Sequence, residues 1–185
     1  MSLILASASP RRRELLSLIT TDFTVIPAKG EENADKTLPP HLLVQELAKQ
    51  KAAEVAALHP NDTVIGADTL VFLGSEIMGK PADAADAKRM LTLLSGNSHT
   101  VITAVAIAQS GAVTKVFAEE TKVEFFPLTE DEIAAYIATG EPMDKAGAYG
   151  IQDKGALLVK GITGDYYNVM GLPVGRLYRE MKPLL

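Results

Sequence analysis

The chain of 185 residues contains no cysteine. This excludes disulfides, zinc sites built on thiolates and thiol nucleophiles. No apolar run reaches the roughly 18 residues that a membrane span needs, and the formal net charge of −5 gives no basic surplus for wrapping a nucleic acid. The first residues also lack the basic segment of a signal peptide. We therefore expect a cytoplasmic protein with no membrane or nucleic-acid partner.

Common nucleotide-binding and metal-binding signatures are missing as well. The sequence has no Gly-x-Gly-x-x-Gly run and no Walker loop. The three histidines, His41, His59 and His99, have no i, i+4 spacing, which argues against a histidine-rich metal site. The size and the 47% hydrophobic content fit one domain over residues 1–185, or one domain split into two lobes.

The apolar pattern predicts a mixed α/β fold, with an elongated sheet flanked by helices and two lobes around a central cleft. Predicted strands cover residues 3–6, 23–26, 63–73 (interrupted at 66–69), 76–78, 99–109, 112–126 and a segment near 156–159. Predicted helices begin after Ser9 and Thr129 and cover about 40–58, 83–94 and 172–181. Residues 144–171 are otherwise predicted as loop.

Three arginines occupy the first turn of the first predicted helix. Arg11, Arg12 and Arg13 follow Ser9 and Pro10, where the positive end of the helix dipole disfavours cations. An anion such as phosphate, held by backbone N–H groups, by Ser7 or Ser9 and by the guanidinium groups, would explain them. Solvated arginines on a surface helix are the alternative.

Two further charges lie where apolar residues are expected. Lys51 falls on the apolar stripe of the helix at 40–58, so it needs an anionic partner or a cleft. A lysine that snorkels at the edge of the stripe is the alternative. Asp68 interrupts an apolar strand run beside Gly66 and Ala67. It is a candidate metal ligand or general base, unless a bulge or turn simply accommodates it.

Weaker signals share one explanation with these. Lys80 sits in a stiff Gly79-Lys80-Pro81 turn, and Glu31 and Glu32 lie in a long polar loop; each alone is typical of a solvated surface. Together with the arginine turn, Lys51 and Asp68, they are what polyphosphate hydrolysis requires. Cations neutralise the phosphates, carboxylates hold a divalent ion and one carboxylate activates water.

The chain resembles the Maf family of nucleoside triphosphate pyrophosphatases over nearly its whole length. Six motifs in order carry the resemblance: Leu5-Ala6-Ser7-Ala8-Ser9-Pro10-Arg11-Arg12, Gly66-Ala67-Asp68-Thr69, Gly79-Lys80-Pro81, Ser95-Gly96-Asn97-Ser98-His99, Asp144-Lys145-Ala146-Gly147-Ala148-Tyr149-Gly150-Ile151-Gln152 and Gly164-Asp165-Tyr166-Tyr167-Asn168-Val169-Met170-Gly171-Leu172-Pro173. The second and fifth motifs look like the branch that acts on dTTP and UTP. The resemblance implies hydrolysis of these nucleotides to monophosphate and diphosphate with Mg²⁺ or Mn²⁺, and it allows a homodimer.

The resemblance also implies roles for individual residues. Asp68 matches the proton acceptor, and Glu32, with Asp68, matches the acidic position that holds the metal. The phosphate-facing positions are Ser7, Arg12, Lys51 and Lys80, and those associated with substrate choice are Arg11, Thr69 and Gln152. Many members have Asp-Glu where this chain has Glu31-Glu32, which leaves the metal ligands open.

Two alternatives remain at this point. A phosphohydrolase that removes only the terminal phosphate would use similar residues, and its products would differ. A non-catalytic nucleotide-binding regulator, acting for instance in cell division or stress response, is the second. A carboxylate at Asp68 would repel a bound polyphosphate, so a pure binding module has no need of it.

Overall fold

The computed structural model describes residues 2–182. Within them the strands are β1 (Leu3–Leu5), β2 (Thr24–Val25), β3 (Thr63–Leu73), β4 (Glu76–Met78), β5 (Ser98–Gln109), β6 (Ala112–Phe125) and β7 (Val159–Gly164). The helices are α1 (Pro10–Ser17), α2 (Pro40–Leu58), α3 (Ala84–Leu94), α4 (Glu130–Ala138), α5 (Tyr166–Met170) and α6 (Val174–Met181). Short 3-10 segments cover Glu141–Asp144, Ala146–Ala148 and Asp153–Leu157. No described helix has both the length and the apolar character to cross a membrane.

The strands form a mixed sheet in the order β2-β1-β3-β5-β6-β7, with β4 paired to β3. β1 runs parallel to both of its neighbours, so that Ile4 is opposite Thr24 on β2 and Val64 on β3. β4 runs antiparallel to β3, and β7 runs antiparallel to β6 with an irregularity at Glu124 and Phe125. The predicted mixed α/β class is confirmed.

The described chain divides into two compact units. The first comprises the described residues of Met1–Asp68, Thr103–Glu119 and Gly171–Leu185, and the second comprises Thr69–Ile102 and Glu120–Met170. In the first unit, residues of α1, α2, β1 and β3 are buried: Ile4, Leu5, Leu15, Leu16, Val44, Leu47, Val55 and Ile65. In the second, a core forms around Val71, Met78, Leu91, Leu94, Val123, Phe125, Ile133 and Tyr149.

The helix starts follow local sequence rules. The Ser9 side chain accepts a hydrogen bond from the backbone N–H of Arg12 at the start of α1, as predicted. Thr129 and Glu132 form the predicted reciprocal capping box at α4. These caps satisfy backbone N–H groups that have no partner inside the helix, and they fix where each helix begins.

Parts of the predicted secondary structure were wrong. β3 is continuous through Gly66–Thr69: it pairs with β1 before this stretch and with β4 after it, and Gly66 lies directly against α2. The predicted strand near 156–159 is instead β7 at Val159–Gly164, where pairing with β6 overrides the weak strand propensity of its glycines. α5, in the predicted loop, is only 5 residues long, too short to show a helical apolar period.

Gly66 permits the close packing of β3 on α2. A Cβ atom at this position would lie 2.6 Å from the backbone nitrogen of Ala52 and 2.7 Å from the carbonyl oxygen of Ala48. Both are helix backbone atoms, which cannot rotate away. We expect Gly66→Ala to lower the free energy of unfolding by about 1–3 kcal/mol, measured by urea denaturation.

Gly161 provides the matched control, because it also lies in a strand and a Cβ there would meet no atom within 4 Å. Gly161→Ala should leave the free energy of unfolding within about 0.5 kcal/mol of the original value. Equal stability of the two variants would contradict the role given to Gly66.

Candidate active site

The turn between β1 and α1 brings two predicted phosphate-facing residues into contact. Ser7 lies two residues after the end of β1 and is buried. Its Oγ accepts hydrogen bonds from the Ser9 backbone N–H (3.3 Å) and from Arg12 Nη1 (3.2 Å). Arg12 Nε donates to the carbonyl oxygen of Gly171 at 2.8 Å. The guanidinium group is therefore fixed on two sides by groups of the first unit.

Lys51 joins two carboxylates that are distant in the sequence. It projects from α2, and its Nζ pairs with Asp68 on β3 and with Glu32 in the loop before α2, the latter at 2.8 Å. The Lys51 side chain is 21% exposed, so it lies at the edge of the apolar stripe rather than inside it. Asp68 and Glu32 are the anionic partners of this lysine.

Asp68 is a buried carboxylate among cations. It is 6% exposed. Burial raises its pKa above the ordinary value, while the charges of Lys51 and Arg12 act in the opposite direction. Burial lowers the pKa of Arg12, and the charge of Asp68 opposes this by raising it. An aspartate with a raised pKa is a better proton acceptor than an exposed one, provided that it is ionised.

Glu32 completes the acidic side of this group. Its side chain is 56% exposed, and it lies in the stretch between β2 and α2 that has no helix or strand. Glu32 and Asp68 accept from the same ammonium group, so their carboxylates lie close together. Within residues 2–182, no group of three or more metal-binding side chains comes together.

The remaining candidate residues are arranged differently. Arg11 is half-buried in the first turn of α1 in the first unit. The second unit carries the other three. Thr69 is half-buried and follows Asp68 along β3, and Lys80 is exposed just after β4. Gln152 is half-buried and comes just before the last 3-10 segment.

One backbone hydrogen bond ties together two motifs of the second unit. The N–H of Gly147 donates to the carbonyl oxygen of Gly79 at 3.0 Å, which joins the turn that carries Lys80 to the segment that ends at Gln152. Gly147 has a φ of +70°, and a Cβ there would lie 2.9 Å from a methyl group of Val71. Both constraints favour glycine at this position.

The sequence reasoning missed a buried polar pair in the second unit. His99 Nε2 lies 2.7 Å from the Tyr149 hydroxyl, and both rings pack edge-on against Phe125. Burial lowers the pKa of His99 to about 4, so the imidazole is neutral at neutral pH. The two residues are 50 positions apart, and no local spacing could have linked them.

The chain is similar to known proteins over nearly its whole length. A sequence profile for the family described as Maf-like protein matches residues 2–184. The dTTP/UTP pyrophosphatase of Bacillus velezensis is 54% identical over 180 residues, which is 97% of this chain and 95% of that protein. The dTTP/UTP pyrophosphatase of Bacillus cytotoxicus is 54% identical over 179 residues, with 97% and 93% covered.

A solved structure shares the fold at much lower identity. The structure of a HAM1 protein from Coxiella burnetii matches with a TM-score of 0.56 and 14% identity over 98% of both chains. The family that the six motifs indicated is thus confirmed by a match over nearly the whole chain. This chain belongs to the family of Maf-like proteins.

Proposed function

We propose that this chain hydrolyses nucleoside triphosphates, with dTTP and UTP as substrates, to the monophosphate and diphosphate. The observation that carries the proposal is the buried Asp68 in contact with Lys51, which also pairs with Glu32. Relatives that are 54% identical and named dTTP/UTP pyrophosphatase support the same reaction and substrates. A regulator that only binds nucleotide would not need a carboxylate at this position.

In this reaction Asp68 accepts a proton from the attacking water. The water oxygen forms a bond to the α-phosphorus, the bond from that phosphorus to the oxygen bridging to the β-phosphorus breaks, and diphosphate leaves. Arg12 and Lys51 stabilise negative charge on the phosphates, and the Ser7 hydroxyl orients Arg12. We assign Lys80 the same phosphate-facing role, on the basis of the family resemblance.

The carboxylates fit a divalent cation. Mg²⁺ and Mn²⁺ prefer oxygen ligands, and Mg²⁺ is commonly held by one or two carboxylates together with substrate phosphates and water. Glu32 and Asp68 supply two such carboxylates close together, and both now accept from Lys51. When bound, the cation would supply charge neutralisation at the phosphate oxygens. We propose Glu32 and Asp68 as its protein ligands.

Substrate choice is assigned to Arg11, Thr69 and Gln152. The Gln152 side chain offers both a donor and an acceptor, which suits the polar edge of a pyrimidine. A site that hydrogen-bonds the base rejects bases that leave its polar groups unpaired.

For the chain as a whole we propose one catalytic domain over residues 1–185, acting in the cytoplasm on free nucleotide. The homodimer that the resemblance allows is tested by sedimentation.

Product analysis tests the proposal directly. The protein is incubated with dTTP, UTP, dCTP, dATP and dGTP, each with Mg²⁺, with Mn²⁺ and with EDTA, and the products are separated by ion-exchange chromatography. We expect monophosphate and diphosphate from dTTP and UTP, in the presence of metal only.

Each other outcome overturns a different part of the proposal. Nucleoside diphosphate with orthophosphate would move the attack to the terminal phosphorus. A preference for purine nucleotides would contradict the assignment of Arg11, Thr69 and Gln152. Tight binding of dTTP without turnover would favour the regulator. Turnover in EDTA would contradict the proposed requirement for a divalent cation.

A further inference from the structure

The loop that carries Glu32 is held against α2 by one carboxylate. Glu54 on α2 accepts hydrogen bonds from two consecutive backbone N–H groups, those of Lys29 at 2.7 Å and Gly30 at 3.0 Å. A side chain at Gly30 would displace this carboxylate, because its Cβ would lie 2.7 Å from Glu54 Oε2. The two hydrogen bonds also lower the pKa of Glu54, so it is ionised at neutral pH.

A second contact holds the loop on the other side of Glu32. The side-chain amide of Gln50 accepts from the Asn33 backbone N–H at 3.2 Å and donates to the Asn33 carbonyl at 2.7 Å. Gln50 and Glu54 are four residues apart and so lie on the same face of α2. The loop is therefore attached to one helix at two points, with Glu32 between them.

The same helix carries Lys51, next to Gln50, and Lys51 pairs with both Glu32 and Asp68. α2 thus sets the position of the loop backbone and of the ammonium group that faces it. An untethered loop would have to be ordered each time Glu32 binds a ligand, which costs conformational free energy. Attachment in advance removes much of that cost.

We propose that Gln50 and Glu54 are positioning residues, which hold Glu32 beside Asp68 and so set the affinity of the site for a divalent cation. This inference rests on the proposed function, because it takes Glu32 as a metal ligand. Neither residue touches the reacting atoms. Their removal should therefore weaken metal binding and leave the rate at saturating metal nearly unchanged.

The test uses Gln50→Ala, Glu54→Ala and the double variant of the full chain. Glu46→Ala is the matched control, since it removes an equal charge from the same helix at a residue that pairs with Lys49. Glu54→Gln keeps one acceptor oxygen and should give an intermediate result. Hydrogen exchange of the Lys29, Gly30 and Asn33 amides reports directly on the contacts that Gln50 and Glu54 make with the loop, without metal or nucleotide.

Metal affinity is measured in two ways. Mn²⁺ binding is followed by electron paramagnetic resonance in the presence of α,β-methylene dTTP, and turnover of dTTP is measured as a function of Mn²⁺ concentration. For the double variant we expect the dissociation constant for Mn²⁺ to rise by about 10-fold or more, with kcat at saturating Mn²⁺ within about 3-fold of the original. The three amides should exchange faster, and Glu46→Ala should change none of these quantities.

The contrary outcomes are distinct. Unchanged amide exchange would show that the side chains do not hold the loop. Faster exchange with unchanged Mn²⁺ affinity, or a loss of kcat that excess Mn²⁺ does not restore, would overturn the positioning role. If the original protein does not hydrolyse dTTP at all, the proposed function fails. The exchange and Mn²⁺ binding measurements would still decide whether Gln50 and Glu54 hold the loop and whether this attachment changes the affinity for Mn²⁺.

Discussion

Asp68→Asn should reduce kcat for dTTP hydrolysis by about 10²- to 10⁴-fold, with KM little changed. An amide has nearly the same shape as the carboxylate, so packing on β3 is preserved, but it cannot accept a proton from water at neutral pH. The fold should survive, because burial already disfavours the charged form of this side chain and raises its pKa. The measurement is steady-state kinetics together with thermal unfolding.

Asp22→Asn is the control, since it makes the same chemical change at an exposed aspartate, and it should leave kcat unaltered. Excess Mn²⁺ separates two possible roles of Asp68. If Asp68 serves only to hold the metal, a high concentration of Mn²⁺ should restore much of the rate, whereas a lost proton acceptor cannot be replaced in this way. Near-normal kcat in folded Asp68→Asn would contradict both roles.

The parts of the fold that depend on local chemistry were predictable. Ser9 before Pro10 and Thr129 with Glu132 are caps whose partners lie within three residues, so both helix starts were confirmed. One strand that depends on a distant partner was placed wrongly. β7 forms because residues 159–164 pair with β6 in antiparallel orientation. Nothing within that glycine-containing segment indicates this pairing.

The candidate site shows the same division. Lys51 and Asp68 were conspicuous because each places a charge in an apolar pattern, and the structure shows them as partners of one another. Gln50 and Glu54 gave no signal, because polar residues on an exposed helix face are ordinary. Their partners are backbone groups of the loop, and these groups do not depend on the type of side chain, so the sequence does not reveal the contacts.

Lys51→Met should lower kcat/KM for dTTP by about 10²- to 10³-fold and shift the acid limb of the pH profile to higher pH. Methionine has a similar length but no charge, so stabilisation of the phosphates is lost. The charge of Lys51 also opposes the effect of burial on Asp68. Without it the pKa of Asp68 rises further, and a higher pH is needed to ionise the proton acceptor. The pH dependence of kcat/KM measures the shift.

The same substitution should make stability more dependent on pH. A carboxyl group whose pKa is raised on folding stabilises the folded state below its unfolded pKa of about 3.9, and this contribution is lost as the pH rises through the folded pKa. Lys51→Met raises that folded pKa, so its cost in unfolding free energy should be larger at pH 8 than at pH 5, by about 1–3 kcal/mol. Urea denaturation at the two pH values measures the difference.

Two further variants decide whether the lost charge or lost packing is responsible. Lys49→Met changes a neighbouring lysine of α2 that pairs with Glu46, and it should alter neither the pH profile nor the stability. Adding Asp68→Asn to Lys51→Met removes the uncompensated carboxylate, so the double variant should recover stability at pH 8 while remaining inactive. If the double variant is no more stable than Lys51→Met, the loss is due to packing, and the electrostatic coupling between Lys51 and Asp68 is refuted.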